Sequence, residues 1–274
     1  MMGPMQFPSF SKNGQILPSD EAVIPFTNVE YAYGYGAYEN IRVAHGKCLF
    51  LDDHVERLMH SATIIGLVHP FAAKTISTWT QELVENLPDG VFNLKVLLIG
   101  ARDAAQCQLI ILPLSPLFPE KRVYTQGATT ITFEYERLFP QAKILNMFPS
   151  YYAFKKAKEA GAYDALLINR RGCITEGTRT NFFAIKGKTI HSPPAEEVLE
   201  GVTRKHVLEV AVKNGYSIEH HDLPLSAIGE YDGVFLTSTG VKIVPVKKID
   251  DVEFLIPEEL KVLMKYFDAF VEEA

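Results

Sequence analysis

Lys143 lies in QAKILNMF, residues 141 to 148, among apolar neighbours where a lysine is not expected. Burial disfavours an ammonium, so it would lower the pKa of this amine and free it to form a Schiff base with a carbonyl carbon. The alternative is a lysine that crosses a sheet edge and carries its charge to solvent. Lys155, Lys156 and Lys158 compete as nucleophiles, but they share a predicted helix with Glu159 and read as a solvated face. Glu176 sits in CITEGTRTNFFAI, residues 173 to 185, between strand-like runs and beside Gly177. A carboxylate there could keep a ring nitrogen protonated, or it could belong to a surface turn. Arg179 could bind a carboxylate or face solvent.

Two further segments could bind an anion. In LEGVTRKHVL, residues 199 to 208, Gly201 opens a helix whose first amides, at Val202 and Thr203, point outward, and Thr203 adds a hydroxyl. Helix N-termini attract phosphate through these N–H groups and the dipole, although many begin this way with nothing bound. FLTSTGVKIVPV, residues 235 to 246, ends a strand on hydroxyls and a glycine. Tyr31, Tyr33, Tyr35 and Tyr38 crowd a glycine-punctuated loop that could line an apolar pocket or form a packing corner. Arg57 lies off the apolar stripe of its helix, and a surface salt bridge with Asp53 or Glu56 is the plain expectation. His220–His221–Asp222 does not predict a metal site, because adjacent strand residues point to opposite faces.

The elements that position these residues alternate between strand and helix. AYENIRV, HGK and CLFL read as a hairpin over residues 37 to 50, and Asp52 or Asp53 is expected to cap the next helix. Val55, Leu58, Met59, Ala62 and Ile65 give that helix its apolar stripe. A second helix over 72 to 87 turns Ile76, Trp79, Leu83 and Val84 inward, and VFNLKVLLIG and CQLIILPL follow as strands. LSPLFPEK, residues 114 to 121, is the linker candidate because its prolines oppose both helix and ladder. Strands are then expected over 123 to 138, a helix over 150 to 160 stopping at Gly161, and strands in DALLIN, CITEG and NFFAI. GVTRKHVLEVAVKNG is a helix ended by Gly215, and YDGVFLTSTG and VKIVPV are strand material. Pro257 opens the last helix. The reading is α/β, with units at 1–117 and 118–274.

Composition narrows the function. Of 274 residues, 27 are Lys or Arg and 33 are Asp or Glu, a net charge of -6, and no basic stripe is visible. Nucleic-acid binding is therefore not expected. No stretch reaches the roughly 18 apolar residues of a membrane span, and the N-terminus lacks a charged region followed by an apolar run. Cys48, Cys107 and Cys173 are scattered and read as free thiols of a cytoplasmic protein. No GxGxxG follows a strand and no GxxxxGK[ST] occurs, which argues against the common nucleotide enzymes.

Taken jointly, these segments resemble the class IV aminotransferases, the fold-type IV pyridoxal 5'-phosphate (PLP) enzymes. That family includes branched-chain aminotransferases, D-amino acid aminotransferases and aminodeoxychorismate lyases. YGYGAYENIRV is similar to its YGDGVFEGIRV-like segment, and LDDHVERLMHSA to its LxxHLxRLxxSA helix. GAYDALLINRRGCITEGTRTNFF and LEGVTRKHVL are similar to its most specific stretches. The resemblance implies a small N-terminal α/β domain, a larger pseudo-barrel domain and a homodimer with the active site near the interface. It implies Lys143 as the Schiff-base lysine, Glu176 on the pyridine nitrogen, and Arg57, Val202, Thr203 and Thr239 on the phosphate. Gly240 and Val241 would face the substrate, and Tyr31, Tyr33 and Tyr38 would occupy pocket positions.

Several residues depart from the family pattern. Met147 stands where branched-chain enzymes place a tyrosine, and LKVLLIGARD lacks the arginine that the relatives carry there, leaving Lys95 or Arg102 as substitutes. Lys242 stands where transaminases often have glutamate, and Arg179 replaces a small residue and is a candidate for the substrate carboxylate. The reading is a transaminase acting on an apolar amino acid, branched-chain or D-, and a 2-oxo acid such as 2-oxoglutarate. The alternatives are a lyase releasing pyruvate from aminodeoxychorismate, and a non-catalytic binding protein on the same fold.

Overall fold

The computed structural model describes residues 7–24, 27–116 and 118–273. They cluster into two units: the described residues of Met1–Leu117 with Ala142–Met147, and those of Phe118–Gln141 with Phe148–Ala274. The first change of unit thus falls inside the proline-bearing linker. Residues 142–147 count with the first unit because Ile144 bridges Ala37, extending that unit's sheet.

In the first unit, β1 (Ser9–Lys12), β2 (Gln15–Pro18), α1 (Val29–Ala32), β3 (Gly36–Ala44) and β4 (Lys47–Cys48) come first. They are followed by α2 (Leu51–Ile64), α3 (Ala73–Glu85), β5 (Val91–Ile99) and β6 (Gln108–Leu114). The strands form one antiparallel sheet in the order β2-β1-β6-β5-β3-β4. Strand alternation divides β3 between two faces. Ala37, Ile41 and Val43 join Val55, Leu58 and Ala62 of α2 and Ile76, Leu83 and Val84 of α3 in one core. Tyr38 joins Phe10, Leu97, Ile99 and Ile110 in a second cluster, against which Leu145 and Met147 pack. Both faces being covered, Val96, Leu97, Leu98 and Ile99 are all buried.

Two expectations change here, and one hairpin is new. The return strand of the hairpin is only Lys47–Cys48, because α2 begins at Leu51. The N-cap position of α2 falls on Phe50, in the left-handed conformation, rather than on Asp52 or Asp53, which lie inside its first turn. The β1–β2 hairpin was not anticipated; its strands are too short for their alternation to stand out.

In the second unit, α4 (Lys121–Gln126), β7 (Ala128–Glu134), α5 (Phe148–Glu159), β8 (Asp164–Ile168), β9 (Ile174–Gly177) and β10 (Asn181–Lys186) are followed by β11 (Thr189–Ser192) and α6 (Val202–Lys213). β12 (Ser217–His220), β13 (Gly233–Ser238), β14 (Lys242–Ile249), β15 (Val252–Glu253) and α7 (Glu258–Glu273) complete it. The pairings β10-β13-β14-β7-β8-β9 return to β10 and close a six-stranded ring, with β11 and β12 extending from β10. Phe182 and Ala184 turn to the core inside the ring with Leu166, Leu236 and Val244. Phe183 and Ile185 turn outward beneath α6 and α7. Ala153 and Ala157 let α5 lie close on Ala165 and Leu167. The strand expected from residue 123 starts later, because Lys121–Gln126 form α4 and Gly127 takes φ 82° before β7.

Candidate active site

The first unit builds a nucleophile on a rigid backbone. The Lys143 N–H donates to Ser61 Oγ on α2 (3.0 Å), and the Tyr38 N–H donates to the Lys143 carbonyl (2.9 Å). The Leu145 N–H donates to the Gly36 carbonyl (2.9 Å). Gly36 is required for this approach: a Cβ there would stand 2.4 Å from the Leu98 carbonyl oxygen and 2.7 Å from Leu145 Cδ1. Lys143 is half-buried, and its Nζ lies 4.6 Å from the centroid of the buried Tyr38 ring. Lys95 Nζ lies 4.9 Å from the same ring, so two cations share one aromatic wall.

Where a surface salt bridge with Asp53 or Glu56 was the plain expectation, Arg57 pairs with Glu39, buried on β3. Arg57 Nε donates to Glu39 Oε1 and Nη2 to Glu39 Oε2, each at 2.7 Å. His54 Nδ1 lies 2.8 Å from Glu39 Oε2. Burial pushes the Glu39 carboxyl up, but the charge and hydrogen bonds of Arg57 and those of His54 outweigh it, bringing it down to about 2. Burial pushes His54 the other way, below its usual range, so its ring is neutral at pH 7. A carboxylate can only accept, so the ring hydrogen sits on Nδ1 and leaves Nε2 as a bare acceptor, buried without a hydrogen-bond partner among the described residues.

The second unit holds the carboxylate and the helix start. Glu176 is buried on β9; its Oε1 accepts from Arg137 Nη1 (2.8 Å) and its Oε2 from the Leu199 N–H (3.3 Å). Asn181 Nδ2 donates to the Leu199 carbonyl (2.7 Å), which fixes the chain just before α6. Gly201 is the N-cap of α6 and has no side chain with which to cap that end. A Cβ on Gly201 would stand 2.0 Å from Asn181 Oδ1. Val202 and Thr203 in the first turn are both buried. Helix-start amides and a hydroxyl suit a phosphate, an amine suits an aldehyde, and a carboxylate suits a pyridinium nitrogen. The donor set therefore fits PLP.

The remaining expected residues are distributed as follows. Thr239, Gly240 and Val241 form the turn from β13 to β14, with the Val241 N–H donating to the Ser238 carbonyl. Tyr31, within α1, and Tyr33, its C-cap, are exposed, at 41% and 75%. Arg179 is exposed, and its guanidinium lies over the rings of Phe154 (4.3 Å) and Tyr163 (5.4 Å). It faces Asp164, whose carboxyl is pushed up by burial against the hydrogen bonds of Thr178 and Thr180 and the charge of Arg179. Arg102 is exposed and tied to Glu30, whereas Lys95 faces Tyr38. Lys242, at φ 59°, donates to Asp268 of α7 (2.7 Å). Lys158 is exposed, as are Lys155 and Lys156, and its Nζ also donates to the carbonyls of Ala162 (3.0 Å) and Tyr163 (2.9 Å), closing the end of α5. Glu39, His54 and Arg137 were missed. The available signal was a glutamate inside an otherwise apolar strand face.

Comparison with known proteins follows the same lines. The family described as "Amino-transferase class IV" matches residues 36–249. A D-alanine aminotransferase of Bacillus licheniformis is 32% identical over 250 residues, covering 87% of each chain. A putative branched-chain-amino-acid aminotransferase of Methanocaldococcus jannaschii is 29% identical, covering 87% of this chain and 86% of its own. In structure, the branched-chain aminotransferase of Thermoproteus uzoniensis, solved with norvaline, superposes with a TM-score of 0.88 at 22% identity, over 97% of this chain and 95% of that one.

Proposed function

The chain belongs to the class IV aminotransferases, and from that premise we propose that it uses PLP to move an amino group between an apolar amino acid, branched-chain or D-, and a 2-oxo acid such as 2-oxoglutarate. The observation that carries this reading is Lys143, whose backbone is fixed by hydrogen bonds to Ser61 and Tyr38 and whose amine lies on the Tyr38 ring. PLP, when bound, supplies an electron sink for the substrate α-carbon. Lys143 would hold the cofactor covalently and, once displaced, its Nζ would carry the proton removed from the substrate α-carbon. Glu176, held by Arg137 and the Leu199 N–H, would keep a proton on the ring nitrogen. Arg57, oriented by Glu39, would bind phosphate, as would the Val202 and Thr203 end of α6 and Thr239.

Two cations are proposed for substrate carboxylates. Lys95 shares the Tyr38 ring with the nucleophile, and Arg179 is held in orientation by Phe154 and Tyr163. Tyr38 would offer an apolar wall, and the Gly240–Val241 turn would face the substrate. We extend the proposal to a homodimer, in which a second copy would cover the exposed Tyr31 and Tyr33, and to the cytoplasm, where the free thiols of Cys48, Cys107 and Cys173 would stay reduced. Among the described residues no helix is long and apolar enough to cross a membrane. The test is a panel of L- and D-amino acids with 2-oxoglutarate and the PLP-loaded protein. Glutamate formed from one or more apolar amino acids is the expected result. Pyruvate released from aminodeoxychorismate without an amino acceptor would replace the transaminase reading with a lyase. No turnover of any pair would overturn the proposal.

A further inference from the structure

β11 and β12 pair in parallel at the free edge of the second sheet, with His191 opposite Glu219 and Ser192 opposite His220. Strand alternation separates His220 from His221, as expected, but it leaves His221 able to meet a neighbour. His221 Nε2 lies 2.9 Å from His191 Nδ1, and Glu219 Oε2 lies 3.4 Å from that same Nδ1. The three ligand atoms all fall within 4.8 Å of one another. We propose that His191 Nδ1, His221 Nε2 and a Glu219 carboxylate oxygen bind a divalent transition metal of the zinc class, clamping the edge strand β12 to β11.

The chemistry of each ligand supports this. Zinc takes imidazole and carboxylate ligands at about 2.0–2.1 Å, which gives a tetrahedral edge of about 3.3 Å. The two separations from His191 Nδ1, 2.9 and 3.4 Å, bracket that edge; the third, His221 Nε2 to Glu219, lies within 4.8 Å, and the exposed Glu219 side chain can swing to close it. His221 Nδ1 lies 2.8 Å from the Asp222 carbonyl oxygen. A carbonyl only accepts, so His221 carries its hydrogen on Nδ1 and presents a bare lone pair at Nε2. This is how a carbonyl behind the ring fixes a metal-ligating tautomer.

Without metal, His191 Nδ1–H donates to that lone pair. With metal, the hydrogen of neutral His191 moves to its Nε2, and no net proton is released. His191 is buried, and its ring is held edge-on against Tyr231 at 4.9 Å. Burial also favours its neutral form. Glu219 is 60% exposed and leaves a route for the ion and for a water as fourth ligand. Lys186 is the opposing charge near His191. Asp222 is occupied by Arg171 and is not counted as a ligand.

This inference does not depend on the proposed transaminase activity. The test uses the PLP-loaded protein, stripped with a chelator and then titrated with zinc chloride by calorimetry and by thermal unfolding. The intact chain is expected to bind one zinc and to melt at a higher temperature with it. Glu219→Gln and His221→Asn should each weaken binding by at least about tenfold and lose the rise in melting temperature. Glu219→Gln should keep the metal-free melting temperature, whereas His221→Asn also loses the His191 hydrogen bond and is read by the zinc-dependent rise alone. Failure of the intact chain to bind stoichiometric zinc would overturn the proposal. So would binding by both variants with unchanged affinity, which would place the ion elsewhere.

Discussion

Glu39→Gln isolates the buried ion pair that holds Arg57. The substitution keeps the side-chain volume and removes the charge. The amide nitrogen would then face donors from Arg57 or His54, leaving a guanidinium whose side chain is only 10% exposed without its counter-charge. The Glu39 carboxyl sits at about 2 rather than its ordinary 4.5. At about 1.4 kcal/mol for each pH unit, that displacement corresponds to about 3 kcal/mol of stability at neutral pH. Breaking one partner of a buried ion pair costs roughly 3–5 kcal/mol in other proteins, which agrees. The assay is denaturant unfolding followed by the fluorescence of Trp79, the single tryptophan, which packs on the core of the first unit. The expected result is a loss of about 3 kcal/mol together with weaker PLP retention, because Arg57 loses its orientation. A loss below about 0.5 kcal/mol, the range of ordinary surface changes, would refute the reasoning.

Three other outcomes follow from the same geometry. Because the folded-state pKa of Glu39 is lowered, its contribution is complete above about 4.5 and is lost as pH falls from there towards 2; acid titration of stability should show this loss in the intact chain and not in Glu39→Gln. Asp164 titrates in the opposite sense, since burial raises it, so the comparison between the two proteins is what isolates Glu39. Gly201→Ala would force a Cβ against Asn181, whose amide is already committed to Leu199; a destabilisation of about 1–3 kcal/mol and weaker PLP retention are expected by unfolding and equilibrium dialysis. Lys95→Met and Arg179→Ala should each raise KM for the 2-oxo acid by about tenfold, the loss of one charged hydrogen bond, and steady-state kinetics with both substrates varied would show an unchanged KM if the assignment of either is wrong.

The parts legible in the sequence were those governed by short-range patterns. α2 and α3 declare themselves through Val55, Leu58 and Ala62 and through Ile76, Leu83 and Val84, because a helix brings residues three and four apart to one face. Gly161 and Gly215 mark the turns after α5 and α6 with positive φ, where a side chain would be strained. What escaped depends on distance along the chain. Arg57 and Glu39 are separated by 18 positions and Arg137 and Glu176 by 39, so no periodicity links them. Lys158 is on the exposed face its helical neighbours indicate, but the carbonyls that bind it, at Ala162 and Tyr163, lie beyond the helix end and leave no mark in the helical pattern. Residues 142–147 follow β7 in sequence yet extend the first unit's sheet, through the Ile144–Ala37 bridge and the hydrogen bonds to Gly36, Tyr38 and Ser61, contacts invisible in one dimension. His191 meets His221 for the same reason, through a strand pairing formed 30 residues away.

The central claim is that one amine, Lys143 Nζ, carries the cofactor. Borohydride reduction of the PLP-loaded protein, followed by proteolysis and mass spectrometry, reads this directly. The account predicts a phosphopyridoxyl adduct on Lys143 and, in Lys143→Ala, loss of both the adduct and turnover. An adduct on Lys95, Lys158 or any other lysine, or full activity in Lys143→Ala, would contradict it.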